Sequence, residues 1–260
     1  MSDYNTNPAA RYGTTVARDR VAIDEGLRAY MLRVYNYMAL GLAITGAVAL
    51  GTFIQAVTND PAAAVATIGR TGLTSIGYAL YVSPLKWVVI FAPLAMVFFM
   101  SFRIDRLSVG AAQAMFWIFA ALIGLSLSVI FLVFTGQSIT HVFFVTAAAF
   151  GGLSLYGYTT KRDLTPFRSF LVMGLIGIII AFIVNIFLAS TMLQWIASVI
   201  GVIVFSGLTA YDTQRIKEMY FAGDDDVVAG RKAIMGALAL YLDFVNLFTM
   251  LLHLFGQREE

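Results

Sequence analysis

The chain predicts an all-α polytopic membrane protein with seven transmembrane helices, and three observations carry that prediction. Of its 260 residues, 60% are hydrophobic and 12% charged, with a mean hydropathy of +0.82. That is more apolar surface than a soluble fold of this size can bury. Apolar stretches of about 20 residues, the length a helix needs to cross the hydrocarbon of a bilayer, recur seven times along the chain. Within the last stretch stands an aspartate, Asp243, at a depth where a carboxylate costs on the order of 3 kcal/mol and therefore needs a partner or a water-filled path.

Residues 1–30 form a polar tail that carries Arg11, Arg18, Arg20 and Arg28 beside Asp19, Asp24 and Glu25. The tail has neither the apolar core nor the small-residue cleavage site of a signal peptide, so the first hydrophobic helix is expected to direct insertion. The seven spans are read as 31–56, 79–102, 111–134, 138–159, 167–189, 191–212 and 231–255, inside a transmembrane domain of 31–256, with a short tail at 257–260. The third and fourth spans are separated only by Thr135 to Gln137, and the fifth and sixth only by Ser190. Both pairs must therefore be tight antiparallel hairpins.

Of the 17 basic residues, Arg70, Lys86 and Arg258 fall on one side of this arrangement and the other 14 fall on the side of the N-terminal tail. The positive-inside rule then puts the N-terminus in the cytoplasm and, after seven spans, the C-terminus outside. A net charge of +2 gives no reason to expect nucleic acid as a partner. Without cysteine, disulfides, thiol chemistry and zinc–thiolate sites do not arise.

The loops and kinks are read more simply. Residues 57–78 are the longest outer loop, with Asn59-Asp60-Pro61 as a turn signal, Gly72 beyond it and no function assigned. Residues 213–230 are the longest inner loop, and their acidic run Asp224, Asp225, Asp226 suits the positive end of the seventh helix. A weak cation-gathering vestibule is the alternative there. Pro93 can kink the second helix and free a carbonyl. On the fifth helix, Asn185 shares a face with Gly174, Gly177 or Ile178, and Ala181, which suggests close packing closed by an amide hydrogen bond. His141 and His253, near the outer ends of helices, read as interfacial rather than as metal ligands.

The chemistry concentrates in the last two helices. On the seventh, Gly236, Ala239, Asp243, Asn246, Met250 and His253 recur at steps of three and four and share one face. Leu240, Phe244, Leu247, Phe248 and Leu251 cover much of the rest, so the polar stripe is expected to face protein rather than lipid. On the sixth, Gln194, Ser198, Gly201, Thr209 and Asp212 lie roughly on one side, with Val199, Val202 and Ile203 elsewhere. Asp212 is the natural partner of Asp243, although an i, i+3 surface pair with Arg215 would also account for it. Two carboxylates close together in a low-dielectric site cannot both ionise cheaply, so the pair is expected to share a proton and titrate as a unit. With the proton it is closed. Without it, the carboxylates repel and can receive a cation.

The segments Thr209-Ala-Tyr-Asp-Thr-Gln-Arg-Ile-Lys217 and Gly236-Ala-Leu-Ala-Leu-Tyr-Leu-Asp-Phe-Val-Asn-Leu-Phe248 resemble the sixth- and seventh-helix signatures of the Bax inhibitor-1 family, in its bacterial branch. Gly157-Tyr-Thr-Thr-Lys-Arg-Asp-Leu164 and the fifth helix ending Asn185-Ile-Phe-Leu188 are similar to the same family, and the likeness covers most of residues 30–256. The resemblance implies three helix pairs around a central last helix, in the inner membrane of a bacterium. It also implies a pH-sensitive calcium leak channel gated by a di-aspartyl unit, which falls here on Asp212 and Asp243. The family's arginine latch, near the cytoplasmic end of the second helix, falls on Arg103, where Phe99-Met-Ser-Phe-Arg103 carries a single basic residue rather than a run.

Calcium prefers six to eight oxygen ligands. Two carboxylates supported by Asn246 and water make only a weak, transient site, as a leak path requires. Calcium is thus expected as the permeant ion, with no tightly bound cofactor and the lipid bilayer, calcium and protons as partners. Enzymatic activity is not expected. An intramembrane aspartyl protease would carry Gly-x-Gly-Asp where this chain has Leu240-Tyr-Leu-Asp243, and a later Pro-Ala-Leu helix, yet no proline follows Pro166. The other alternative is an interaction protein that modulates a membrane-anchored quality-control protease, as the resemblance also allows, with residues 1–30 as the contact.

Overall fold

The computed structural model describes residues 8–259; residues 1–7 of the polar tail and Glu260 lie outside the described residues. Among those described, seven helices are long and apolar enough to cross a membrane. Helix α1 runs Pro8–Ala56, its membrane-spanning part starting at Glu25, and is followed by α2 (Leu85–Arg103), α3 (Val109–Leu127), α4 (Gly136–Thr159), α5 (Arg168–Leu188), α6 (Thr191–Glu218) and α7 (Asp226–Phe255). The third span continues past α3 through a short helical turn, Ile130–Val133.

Four of the starts are marked in the sequence by a residue that accepts a hydrogen bond from the unpaired first-turn N–H groups. Ser108 caps α3, Thr135 α4, Ser190 α6 and Asp225 α7, each through its side chain. The joints 134–135 and 189–190 are as tight as the spacing predicted. The second reverses through Ala189 in the left-handed region (φ 46°). There the Asn185 carbonyl accepts from Ala189 N at 2.8 Å and its side-chain Oδ1 accepts from Ser190 N at 2.9 Å. The Asn185 amide therefore closes a turn and not a helix interface. On the same helix Ile178 is buried, and Gly174 abuts Val204, while a Cβ at Gly177 would meet open space.

The segment between the first and second spans differs most from the sequence reading. The second span starts at Leu85 rather than near residue 79, because a short helical turn, Tyr78–Val82, ends at Ser83-Pro84 before α2 begins. Helix α2 then passes through Pro93 without a break. The loop at 57–78 contains a small antiparallel ribbon, β1 (Val57–Thr58), β2 (Ala66–Ile68) and β3 (Thr71–Leu73) in the order β1-β3-β2. Asp60 turns the chain there by accepting Ala62 N at 2.9 Å. A Cβ at Gly72 would stand 2.7 Å from the Thr58 carbonyl, so only glycine lets β3 lie this close to β1.

Helix α7 is the centre of the bundle. In its most apolar window 72% of residues are buried, against 11% to 33% for the other spans. It packs mainly on α6, α1, α4 and α3, while α2 is held outside by α3, and α5 by α6. The apolar side of α7 is consequently covered as fully as the polar one. Leu240, Phe244, Leu247, Phe248 and Leu251 are all buried, and the half-buried positions include Ala239 and Asn246 from the polar stripe. Helices α1 and α4 make little direct contact, which leaves a seam between them with α7 as its floor. Beyond α7 the chain is knitted into the joint between α3 and α4. Thr135 N donates to Gln257 O at 3.0 Å, Glu259 N to Val133 O at 3.1 Å and Gln257 N to Ser138 Oγ at 2.9 Å.

Candidate functional site

Antiparallel α6 and α7 approach closely because their contact positions are small or flexible. Gly201 lies against Met250 and Gly236 against Ile216. The close fit extends behind α6, where Gly157 of α4 abuts the Ala210 carbonyl and Gly207 abuts Leu171 of α5. Glycine at such positions lets backbones approach where no hydrophobic force separates protein from lipid. Along α6, Ser198 and Thr209 are wholly buried with Gly201, while Ile203 is exposed, so the small polar stripe of this helix turns inward.

This packing brings Asp212 and Asp243 within hydrogen-bonding reach of one another. Asp243 is 4% exposed, and among the described residues its Oδ2 has no hydrogen-bond partner. Asp212 is half-buried. The cations whose charge reaches Asp212 are Arg215, one turn along α6, and Arg168 at the start of α5. Among the described residues Asp212 makes no ion pair with Arg215 within 4 Å; the one such pair there is Lys232 with Asp224 at 2.6 Å. Arg103 ends α2 with its guanidinium 5.9 Å from the centre of the Phe99 ring. Asn246, one turn beyond Asp243, donates its amide N–H to the Leu242 carbonyl at 2.8 Å, within its own helix.

Two hydroxyl chains fix the turns that carry the aspartates. In the first, the Thr213 hydroxyl donates to the Thr209 carbonyl at 2.7 Å. Its single proton is thereby used, so Ser154 donates to Thr213 Oγ1 at 3.0 Å and Tyr35 donates to Ser154 Oγ at 2.6 Å. This chain runs one way from α1 through α4 to the neighbour of Asp212. In the second, Thr45 of α1 points its proton at the Gly41 and Ala120 carbonyls, at 3.0 and 2.9 Å. The wholly buried Tyr241, two residues before Asp243, must then donate to Thr45 Oγ1 at 2.6 Å. Sequence spacing had not singled out Tyr35, Thr45, Ser154, Thr213 or Tyr241 as site residues.

Gln214 was missed for the same reason. Buried beside Asp212, it accepts Leu164 N at 2.8 Å and donates to Arg162 O at 2.8 Å, holding the loop between α4 and α5 onto α6. The acidic run, in contrast, is used in starting α7. Asp225 accepts Val228 N at 2.7 Å as its cap, Asp226 lies in the first turn, and Asp224 pairs with Lys232. His253 Nδ1 is buried without a partner among the described residues near Phe134, and His141 lines a cavity of about 480 Å³ between α4 and the end of α7.

Chemically, two facing carboxylates, one with an oxygen that has no partner among the described residues, can hold one proton between them or offer a divalent cation an incomplete set of oxygens. Residues 27–260 match the family described as inhibitor of apoptosis-promoting Bax1. The chain is 44% identical to an uncharacterized protein of Caulobacter vibrioides over the full length of both. It is also 44% identical to one of Rickettsia prowazekii over 95% of this chain and 97% of the relative. It is 45% identical to the inner membrane protein YbhL of Escherichia coli, over 90% of this chain and 93% of that protein.

Proposed function

Because the chain belongs to the family of inhibitors of apoptosis-promoting Bax1, we propose that it is a pH-sensitive cation leak channel of the inner membrane, with calcium as the passenger and Asp212 and Asp243 as the gate. The observation that carries this reading is Asp243 itself. A carboxylate that is 4% exposed in the middle of the central helix, facing a second carboxylate and with one oxygen unpartnered among the described residues, is an expensive arrangement for packing alone. No catalytic role is assigned.

With one proton between them, the two carboxylates hold α6 and α7 together. Once it leaves, two charges about 4 Å apart repel by on the order of 4 kcal/mol at an effective dielectric of 20. The helices part, and the freed oxygens accept a weakly bound cation. Arg168 and Arg215, whose charges reach Asp212, oppose that repulsion from the basic end. The excess of basic residues on that side supports an orientation with the N-terminus in the cytoplasm and the C-terminus outside. YbhL, an inner membrane protein, supports the location.

The test is calcium flux into dye-loaded proteoliposomes across a pH series, comparing the unmodified chain with Asp243→Asn and Asp212→Asn. Flux is expected to rise with pH as the pair loses its shared proton. Either substitution removes the mutual repulsion and flattens that response. A steep pH response kept by both variants overturns the gate. No flux above empty liposomes at any pH overturns the channel and favours an interaction protein that modulates a membrane protease.

A further inference from the structure

The seam between α1 and α4 contains a cavity of about 700 Å³, within the range of small-molecule sites. Its lining runs along α1 from Arg28 to Leu42, and Phe244 of the central helix contributes to its floor. Fourteen steps of helix measure about 21 Å at 1.5 Å per residue. The cavity therefore extends from the headgroup level past the middle of a hydrocarbon core about 30 Å thick. A second cavity of about 330 Å³ shares Leu42 and Phe244 with it and continues the seam upward. Leu32 and Leu155 stand on the walls, 52% and 62% exposed. The cavity thus opens sideways, where a membrane-spanning chain meets lipid.

The two ends differ in chemistry. The deep end is apolar, lined by Met38, Leu42, Phe150 and Phe244. At the shallow end stands Arg28. Beside it is Tyr158, whose ring lies 5.5 Å from Lys217 Nζ and whose carbonyl accepts from that nitrogen at 2.8 Å. Among the described residues, none of those lining the cavity carries a carboxylate. A positive mouth over an apolar slot one leaflet deep matches an amphiphile with an anionic head and a long hydrocarbon tail. Arginine is suited to phosphate by its planar set of donors.

We propose that this seam is a binding site for one anionic glycerophospholipid of the leaflet at the basic end, its phosphate at Arg28 and an acyl chain along α1 to Phe244. The bound chain fills the space that α1 and α4 leave between them. It also lies against Tyr35 and Ser154, the first two members of the hydroxyl chain that ends beside Asp212. The site stands independently of the channel reading, since binding is measured without ion flux.

The test is native mass spectrometry of the full-length protein, freed of lipid in detergent and titrated with phosphatidylglycerol and phosphatidylcholine of identical acyl chains. The unmodified chain is expected to retain one phosphatidylglycerol in preference to phosphatidylcholine. Arg28→Gln should reduce that preference about fivefold, the share one basic residue contributes at an anionic membrane surface. Gly151 lines the cavity and has nothing within 4 Å of where its Cβ would stand. A side chain can therefore leave the helix there without a clash at its Cβ, and Gly151→Leu, which adds bulk to the slot, should abolish retention of both lipids. Gly177→Leu adds the same bulk in open space on α5 and should retain lipid like the unmodified chain. Equal retention of the two lipids by the unmodified chain, undiminished retention by Gly151→Leu, or equal loss in Gly177→Leu each overturns the proposal.

Discussion

Tyr241 and Gln214 show how differently two buried polar residues beside the aspartates are bound into the bundle. Tyr241→Phe removes one donor, but the Thr45 hydroxyl it served still has two carbonyls to bond, so the loss should be about 1 kcal/mol, near the usual range for hydrogen bonds inside membrane proteins. Gln214→Ala removes the partner of both Leu164 N and Arg162 O. Leaving groups unsatisfied costs more than losing a bond, about 2 kcal/mol here. Unfolding of the purified variants in detergent should therefore rank Gln214→Ala well below Tyr241→Phe, and equal losses would refute the ranking. Asp243 was legible in the sequence because a lone carboxylate in twenty apolar residues stands out against its surroundings. The hydroxyl chain was not. Tyr35, Ser154 and Thr213 are 119 and 59 residues apart, and nothing in local spacing distinguishes an interior hydroxyl that bridges helices from one that bonds its own backbone, as Thr249 does with Val245.

At the level of elements, packing depends on where backbones touch. Gly157→Ala forces a methyl into the Ala210 carbonyl of α6, and overpacking of that kind costs about 1–3 kcal/mol. Gly177→Ala meets nothing and should be neutral or gain up to about 1 kcal/mol of helix propensity. Thermal unfolding of the two variants side by side checks the contrast. Asp225→Ala should cost about 1 kcal/mol by leaving the first turn of α7 uncapped. All seven spans were legible as runs of apolar residues, since length alone decides whether a helix can cross. Their ends were less so. Helix α7 begins at Asp226, five residues before the apolar run read as 231–255. The ribbon at 57–73 was invisible, because strands of two or three residues are too short to show an alternating pattern.

For the whole molecule, the proposed orientation has a direct check. The chain has no cysteine, so single replacements report their own side without background. Lys161→Cys is expected to react with an impermeant maleimide only after the membrane is opened, and Glu260→Cys to react in intact spheroplasts; the reverse pattern would invert the topology. The architecture also reverses the order in which most cores are built. Helix α7, the most buried of the seven, is the last to leave the ribosome, and synthesis proceeds from the N-terminus. Until it arrives, the six earlier spans have no axis to close around. Until then Asp212 waits without Asp243 and Thr45 without Tyr241. The final residues, 257–259, then join the strand-like segment at 133–135. Completion of the fold is thus a single late event. A chain stopped before Asp226 would leave two groups of three helices, α1 with α2 and α3, and α4 with α5 and α6, with little contact between them, rather than a smaller version of the protein.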